Sequence, residues 1–140
     1  MAEHDDYGKS VLRKAAGSAF TDWGTTITID YGAGQPARID GTVGKDIAVE
    51  IESRVSKQVR GAVLDLICHS YLKKLLVLLP VHMSNPEETA IQCRNIFNRF
   101  LPISDFRVIV LQGSGNNNCL DADAEIVKSA LKELGFIDAV

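Results

Sequence analysis

Six consecutive residues show the clearest alternation of apolar and polar positions in the chain. The segment Ile47–Glu52 reads Ile-Ala-Val-Glu-Ile-Glu, and this period of two is typical of a β-strand with one buried face. Glu50 and Glu52 therefore project from the same face, roughly 7 Å apart along the strand. Two like charges at this spacing repel each other, so we infer that a cation or a basic partner lies between or beside them.

Apolar side chains spaced three and four residues apart predict four helices. These helices are expected to begin near Asp5 and Asp6, at Ser56, after Asn85 and near Asp121. The third has the strongest start, because Asn85 can cap it, Pro86 suits its first position and Glu88 its third. The second is expected to run to about Lys73, and the fourth to end just before Gly135, a C-terminal glycine cap.

The other patterned stretches predict five strands, at residues 25–30, 37–40, 47–52, 75–79 and 106–111. The first three form an antiparallel meander, because short glycine-containing connections join them. Residues 75–79 lack alternation, which indicates a strand in the middle of the sheet that is buried on both faces. The element order is therefore αβββαβαβα, and the fold class is α/β, with a mixed central β-sheet flanked by helices.

Length and composition favour one globular domain spanning residues 1–140, with 46% hydrophobic and 24% charged residues. No apolar run is long enough to cross a bilayer, and the first twenty residues lack a signal pattern, so a cytoplasmic protein is expected.

Cysteines 68, 93 and 119 lack metal-site spacing and are expected to be reduced, mostly buried thiols. A net charge of −3 means that DNA binding requires a local basic patch or cations held by carboxylates.

Asp40, at the end of the second predicted strand, adds a third carboxylate to Glu50 and Glu52. Magnesium needs only two or three such ligands, and it can activate water and neutralise the oxygens of a phosphodiester. A symmetric hairpin would pair Asp40 with Ile47, so the carboxylates converge only if the strands splay or bulge near Asp40. The alternative is that Asp40 opens a turn and the glutamates lie on a solvated strand face.

Polar and basic residues cluster where the second helix is expected to begin, namely Arg54, Lys57, Gln58 and Arg60. The free backbone N–H groups of a helix N-terminus can hold a DNA phosphate. The alternative is an ordinary solvated helix start. Gly61 inside this helix costs about 1 kcal/mol relative to alanine; packing against the sheet is the expected cause, and approach of a substrate is the alternative.

The order αβββαβ, with Arg38-Ile-Asp40 followed by Ala48-Val-Glu-Ile-Glu-Ser-Arg54, resembles the restriction-endonuclease-like, or PD-(D/E)xK, nuclease superfamily. The resemblance covers roughly residues 6–79 and leaves the rest as an added αβα extension. It implies that Asp40 and Glu50 hold magnesium, with manganese as a substitute. Glu52 stands where the signature has lysine, as in ExE members of the superfamily, so Lys57 or Arg54 would supply the positive charge.

These residues together predict a magnesium-dependent nuclease that hydrolyses DNA and acts as a homodimer. No membrane partner is expected. The catalytic residues would be Asp40, Glu50, Glu52 and Lys57, the metal ligands Asp40, Glu50 and Glu52, and the DNA contacts Arg54, Lys57, Gln58 and Arg60. One alternative is a catalytically silent module with the nuclease fold that binds nucleic acid or protein. A second is an unrelated α/β protein with a ligand site near His82 and the loop at residues 113–118. RNA remains open as a substrate.

Overall fold

A computed structural model describes residues 3–22, 28–54, 56–113 and 117–137. Its helices are α1 (Glu3–Ala16), α2 (Ser56–Cys68), α3 (Pro86–Asn98) and α4 (Leu120–Glu133). Its strands are β1 (Phe20–Asp22), β2 (Gly41–Val43), β3 (Ile47–Glu52), β4 (Lys73–Leu78) and β5 (Phe106–Val110). This order confirms the α/β class, and no helix in the described ranges is both long and apolar enough to cross a membrane.

The five strands form one mixed sheet in the order β1-β2-β3-β4-β5. The pairs β1–β2 and β2–β3 are antiparallel, whereas β3–β4 and β4–β5 are parallel. Helices α2 and α3 provide the crossovers that parallel neighbours require. Strand β4 is interior and its residues 74–78 are buried, which confirms that the apolar run near residue 75 is covered on both faces.

Helices cover both faces of the sheet and divide the core in two. Ile47, Val49 and Ile51 pack with residues of α1 and α4, whereas Ala48 packs with residues of α2 and α3. Because strand side chains alternate between faces, Glu50 shares the side of Ala48 that α2 covers. All six residues of β3 are buried, so the alternative in which Glu50 and Glu52 lie on a solvated strand face is wrong.

The predicted positions of the first two strands are wrong. In place of 25–30 and 37–40, β1 lies at Phe20–Asp22 and β2 at Gly41–Val43; residues 25–27 are outside the described ranges. Ile29 and Ala37 form an isolated antiparallel bridge through two N–H···O bonds of 2.8 Å. Ile29 thus takes part in a short pairing outside the named strands, and it is buried on the α2 side of the core.

The cap residues in the sequence correctly predicted the start of α3 and the end of α4. The side chain of Asn85 accepts a hydrogen bond of 3.1 Å from the backbone N–H of Glu88 at the start of α3, and Gly135 follows α4 with φ +91°. Helix α2 ends at Cys68, not near Lys73, because Lys73 opens β4 opposite Ile47.

The three cysteines are free, but only one is buried. Cys93 lies in the core, Cys119 is half-buried and Cys68 is exposed. The expectation of mostly buried thiols is therefore wrong for Cys68, which occupies the last residue of α2.

Candidate functional site

Asp40 and Glu50 are in direct contact across the β2–β3 hairpin. The backbone N–H of Asp40 donates to Oε1 of Glu50 over 2.7 Å, and the backbone N–H of Ile51 donates to Oδ2 of Asp40 over 2.7 Å. Each carboxylate is thus held by the backbone of the neighbouring strand. The structure brings together the two residues that the sequence identified as the principal metal ligands.

The register of the hairpin explains this contact and corrects the predicted pairing of Asp40 with Ile47. Val43 pairs with Ile47, and Gly41 with Val49, so Asp40 continues the ladder opposite Glu50. The turn that produces this register starts at Gly44, whose φ of +61° is favourable for glycine. No splaying or bulging of the strands is needed.

Gly41 fixes the position of the chain directly after Asp40. A Cβ atom there would lie 2.6 Å from the carbonyl oxygen of Thr21 and 2.5 Å from the ring of Phe20. Strand β1 therefore packs against β2 at a point where any larger residue would push it away. Asp40 itself is half-buried at the edge of this contact.

Glu50 is costly to ionise in this environment. Only 9% of the residue is exposed. Burial is the main reason that its pKa rises to about 9, and the nearby carboxylates of Asp40, Asp65 and Glu52 raise it further, against the opposing hydrogen bond from Asp40. A cation bound beside these carboxylates would favour the ionised form of Glu50 and so oppose this shift.

Asp65 is a member of this acidic group that the sequence interpretation did not assign to the site. It lies half-buried on α2 and accepts a hydrogen bond of 2.7 Å from the Tyr31 hydroxyl. Burial and this bond raise the pKa of Tyr31 above its usual value. His69, which directly follows α2, is buried, and its Nδ1 accepts from the backbone N–H of Tyr71. The only sequence signal for Asp65 was its position beside the buried face of α2.

Glu52 lies on the same face but has a different set of partners. Its Oε1 accepts from Nη2 of Arg54 over 2.8 Å, and its Oε2 accepts from the backbone N–H groups of Ser53 and Arg54 and from Nε of Arg54 over 2.9 to 3.0 Å. Burial alone would raise the pKa of Glu52, but the hydrogen bonds from Arg54 outweigh it and lower the pKa below its usual value. Arg54 thus favours the ionised form of Glu52, whereas burial favours the neutral form of Glu50.

The other predicted DNA contacts are on the outside of the first turns of α2. Lys57, Gln58 and Arg60 are exposed. Gly61 is also exposed, and a Cβ atom at this position would meet no atom within 4 Å. Packing against the sheet, the expected reason for this glycine, is therefore wrong.

The donor set at Asp40 and Glu50 suits a hard cation. It consists of carboxylate oxygens, and magnesium commonly binds through one or two carboxylates and keeps several waters. Among the residues that the structure describes, no group of three or more histidine, cysteine, aspartate or glutamate side chains has the arrangement of a metal site. With two carboxylates from the protein, a magnesium ion at this position would take its other ligands from water and substrate.

His82, the centre of the second alternative, lies exposed in a short 3₁₀ helix after β4. The loop that would accompany it is only partly within the described residues, which end at Gly113 and resume at Asn117. No family of known proteins, no curated protein and no solved structure matches the chain. Arguments about function therefore depend on the side chains around Asp40 and Glu50.

Proposed function

We propose that this protein is a magnesium-dependent nuclease that hydrolyses phosphodiester bonds in DNA. The observation that carries the proposal is the contact of Asp40 with Glu50 at a position where burial, together with neighbouring carboxylates, raises the pKa of Glu50 to about 9. An arrangement of this kind destabilises the folded protein unless a cation or a proton neutralises it. Magnesium is the cation that best suits two carboxylates next to a phosphodiester.

Asp40 and Glu50 would hold the metal ion. When bound, magnesium would lower the pKa of a water nucleophile and neutralise a non-bridging phosphate oxygen. Lys57 and Arg60, exposed at the start of α2, would receive neighbouring phosphates together with the backbone N–H groups of the helix N-terminus. Gln58, on the same turn, would hydrogen-bond to the DNA backbone.

The choice of DNA rests on the resemblance to PD-(D/E)xK nucleases. The order α1-β1-β2-β3-α2-β4, with Asp40 directly before β2 and Glu50 within β3, supports that resemblance. A homodimer that cuts both strands of a duplex, acting in the cytoplasm, extends the same proposal. Gel filtration with and without DNA tests the dimer, and a monomer in both conditions would reject it.

The test is incubation of supercoiled plasmid and of branched DNA with magnesium or manganese. Wild-type protein should nick at least one substrate, whereas Glu50→Ala and EDTA should abolish nicking. Glu87→Ala is the matched control, because Glu87 is an exposed glutamate in the first turn of α3. Absence of nicking by the wild type, or equal nicking by Glu50→Ala, would reject the nuclease. A parallel assay on single-stranded RNA decides between DNA and RNA.

A second candidate is a catalytically silent module that uses the same surface to bind nucleic acid. It is favoured by the absence, within the described residues, of a three-ligand metal group and by the engagement of Glu52 with Arg54. Retention of DNA in a gel-shift assay, with no cleavage under any metal condition and no effect of Glu50→Ala, would establish this candidate in place of the nuclease.

A further inference from the structure

The Glu52 carboxylate accepts most of its hydrogen bonds from one residue. It accepts four, of which three come from Arg54 and the fourth from the backbone N–H of Ser53. A carboxylate offers about four acceptor positions. Three of the four hydrogen bonds reach Oε2 and one reaches Oε1, so a metal ion that binds through Oε2 has to displace one of these donors.

The two partners differ in their exposure to solvent. The side chain of Glu52 is 6% exposed, whereas that of Arg54 is 65% exposed. Nε and Nη2 of Arg54 both engage the carboxylate, over 3.0 and 2.8 Å, in the two-point geometry that fixes a planar guanidinium in orientation. The buried carboxylate therefore serves to aim an exposed cation.

The position of this cation relates it to the acidic site. Arg54 lies four residues after Glu50, in the connection from the carboxyl end of β3 to α2. Lys57 and Arg60 follow on the exposed side of the helix. A guanidinium fixed here lies just after the strand that contains Glu50 and precedes the exposed basic residues of α2.

We propose that Glu52 is a positioning residue and not a metal ligand, and that it holds the guanidinium of Arg54 against a non-bridging oxygen of the substrate phosphodiester. This inference rests on the proposed function and deepens it. Arginine suits the role because its fork binds carboxylate and phosphate oxygens in similar geometry and remains charged at any physiological pH.

Direct metal binding is the first test, and it does not depend on catalysis. Manganese binding, followed by electron paramagnetic resonance, should be weakened by Glu50→Gln and should stay within about twofold of the wild type in Glu52→Gln and Arg54→Gln. A loss of manganese affinity in Glu52→Gln as large as that in Glu50→Gln, with Arg54→Gln unaffected, would make Glu52 a ligand and overturn the inference.

The second test measures the affinity for DNA with calcium in place of magnesium. The duplex is too short to hold more than one protein molecule. Arg54→Gln should weaken binding about tenfold and reduce the slope of log K against log salt by about one. Glu52→Gln should cause a similar loss, and the double variant should be no weaker than either single variant, because both substitutions remove the same contact. Arg54→Lys should restore the salt slope but not the full affinity, since lysine lacks the fork.

Arg99→Gln is the matched control, because Arg99 is an exposed arginine at the end of α3 that the proposal does not use. Wild-type affinity of Arg54→Gln, additive losses in the double variant, or absence of DNA binding by the wild type would each overturn the inference. If Glu52→Gln does not fold, the Arg54 variants decide alone, since they alter an exposed side chain. Failure of the wild type to nick DNA, with these binding effects intact, would reject the nuclease and leave the role of Arg54 standing.

Discussion

Substitution of Glu50 by glutamine should stabilise the protein in the absence of metal, and increasingly so as the pH rises. Glutamine has nearly the same volume as glutamate, and its carbonyl oxygen can still accept the hydrogen bond that Asp40 donates over 2.7 Å. The variant therefore removes only the ionisable group. Its effect on the free energy of unfolding isolates the cost of a buried carboxylate at the candidate site.

The magnitude follows from the pKa of Glu50, which burial raises from 4.5 to about 9. Between these values the folded protein retains a proton that the unfolded chain has lost, so wild-type stability falls as pH rises. Below pH 4.5 both states are protonated and the cost is absent; above pH 9 it reaches its full size. The gain of Glu50→Gln over the wild type should therefore be ~3 kcal/mol larger at pH 7 than at pH 4.5.

Urea denaturation at pH 4.5, 6, 7 and 8.5, with EDTA in every sample, measures this difference. Glu87→Gln, at an exposed position on α3, is the control and should parallel the wild type. Addition of magnesium should stabilise the wild type by binding to the folded state and should affect Glu50→Gln much less. Parallel stability curves for the wild type and Glu50→Gln over the whole pH range would refute the reasoning.

Further substitutions test other parts of the fold, each by chemical or thermal denaturation. Gly61→Ala should stabilise the protein by about 0.5–1 kcal/mol, because the added Cβ meets no atom within 4 Å. Gly135→Ala should destabilise it, because φ is +91° and the Cβ would lie 2.8 Å from Nζ of Lys73. Equal effects of the two substitutions on stability would contradict both predictions. Asn85→Ala should cost about 1 kcal/mol by removing the cap of α3, and Asn85→Asp should retain the stability. Tyr7→Phe removes the 2.5 Å hydrogen bond to the buried carboxylate of Asp123 and should cost about 1.5–3 kcal/mol; an unchanged midpoint would show that this bond adds no net stability.

Short-range signals account for the parts of the fold that were predicted correctly. The start of α3 was evident because Asn85, Pro86 and Glu88 each satisfy a requirement of a helix N-terminus. The end of α4 followed from Gly135, and β3 followed from six residues of strict alternation. These features depend on neighbours within about four positions, so the sequence contains most of the information.

Pairing between distant segments accounts for the errors. The alternation around Ile29 is as good as that of a sheet strand, yet this residue forms one isolated bridge, while Phe20–Asp22, with no alternating pattern, becomes β1. The choice between two such segments depends on which one fits beside Gly41, where a Cβ would lie 2.6 Å from the backbone of β1. No local pattern reports that fit.

The candidate site shows the same division. The sequence by itself predicted Asp40, Glu50 and Glu52 as candidate site residues, because their spacing along strands is a local property. Only the tertiary structure decided that the turn at Gly44 sets Asp40 opposite Glu50. It also decided that Asp65 of α2 lies close enough to raise the pKa of Glu50, and that Glu52 forms an ion pair with Arg54. The physical reason is that hairpin register and helix packing depend on the summed contacts of many residues far apart in the chain, whereas alternation and capping depend on a few adjacent ones.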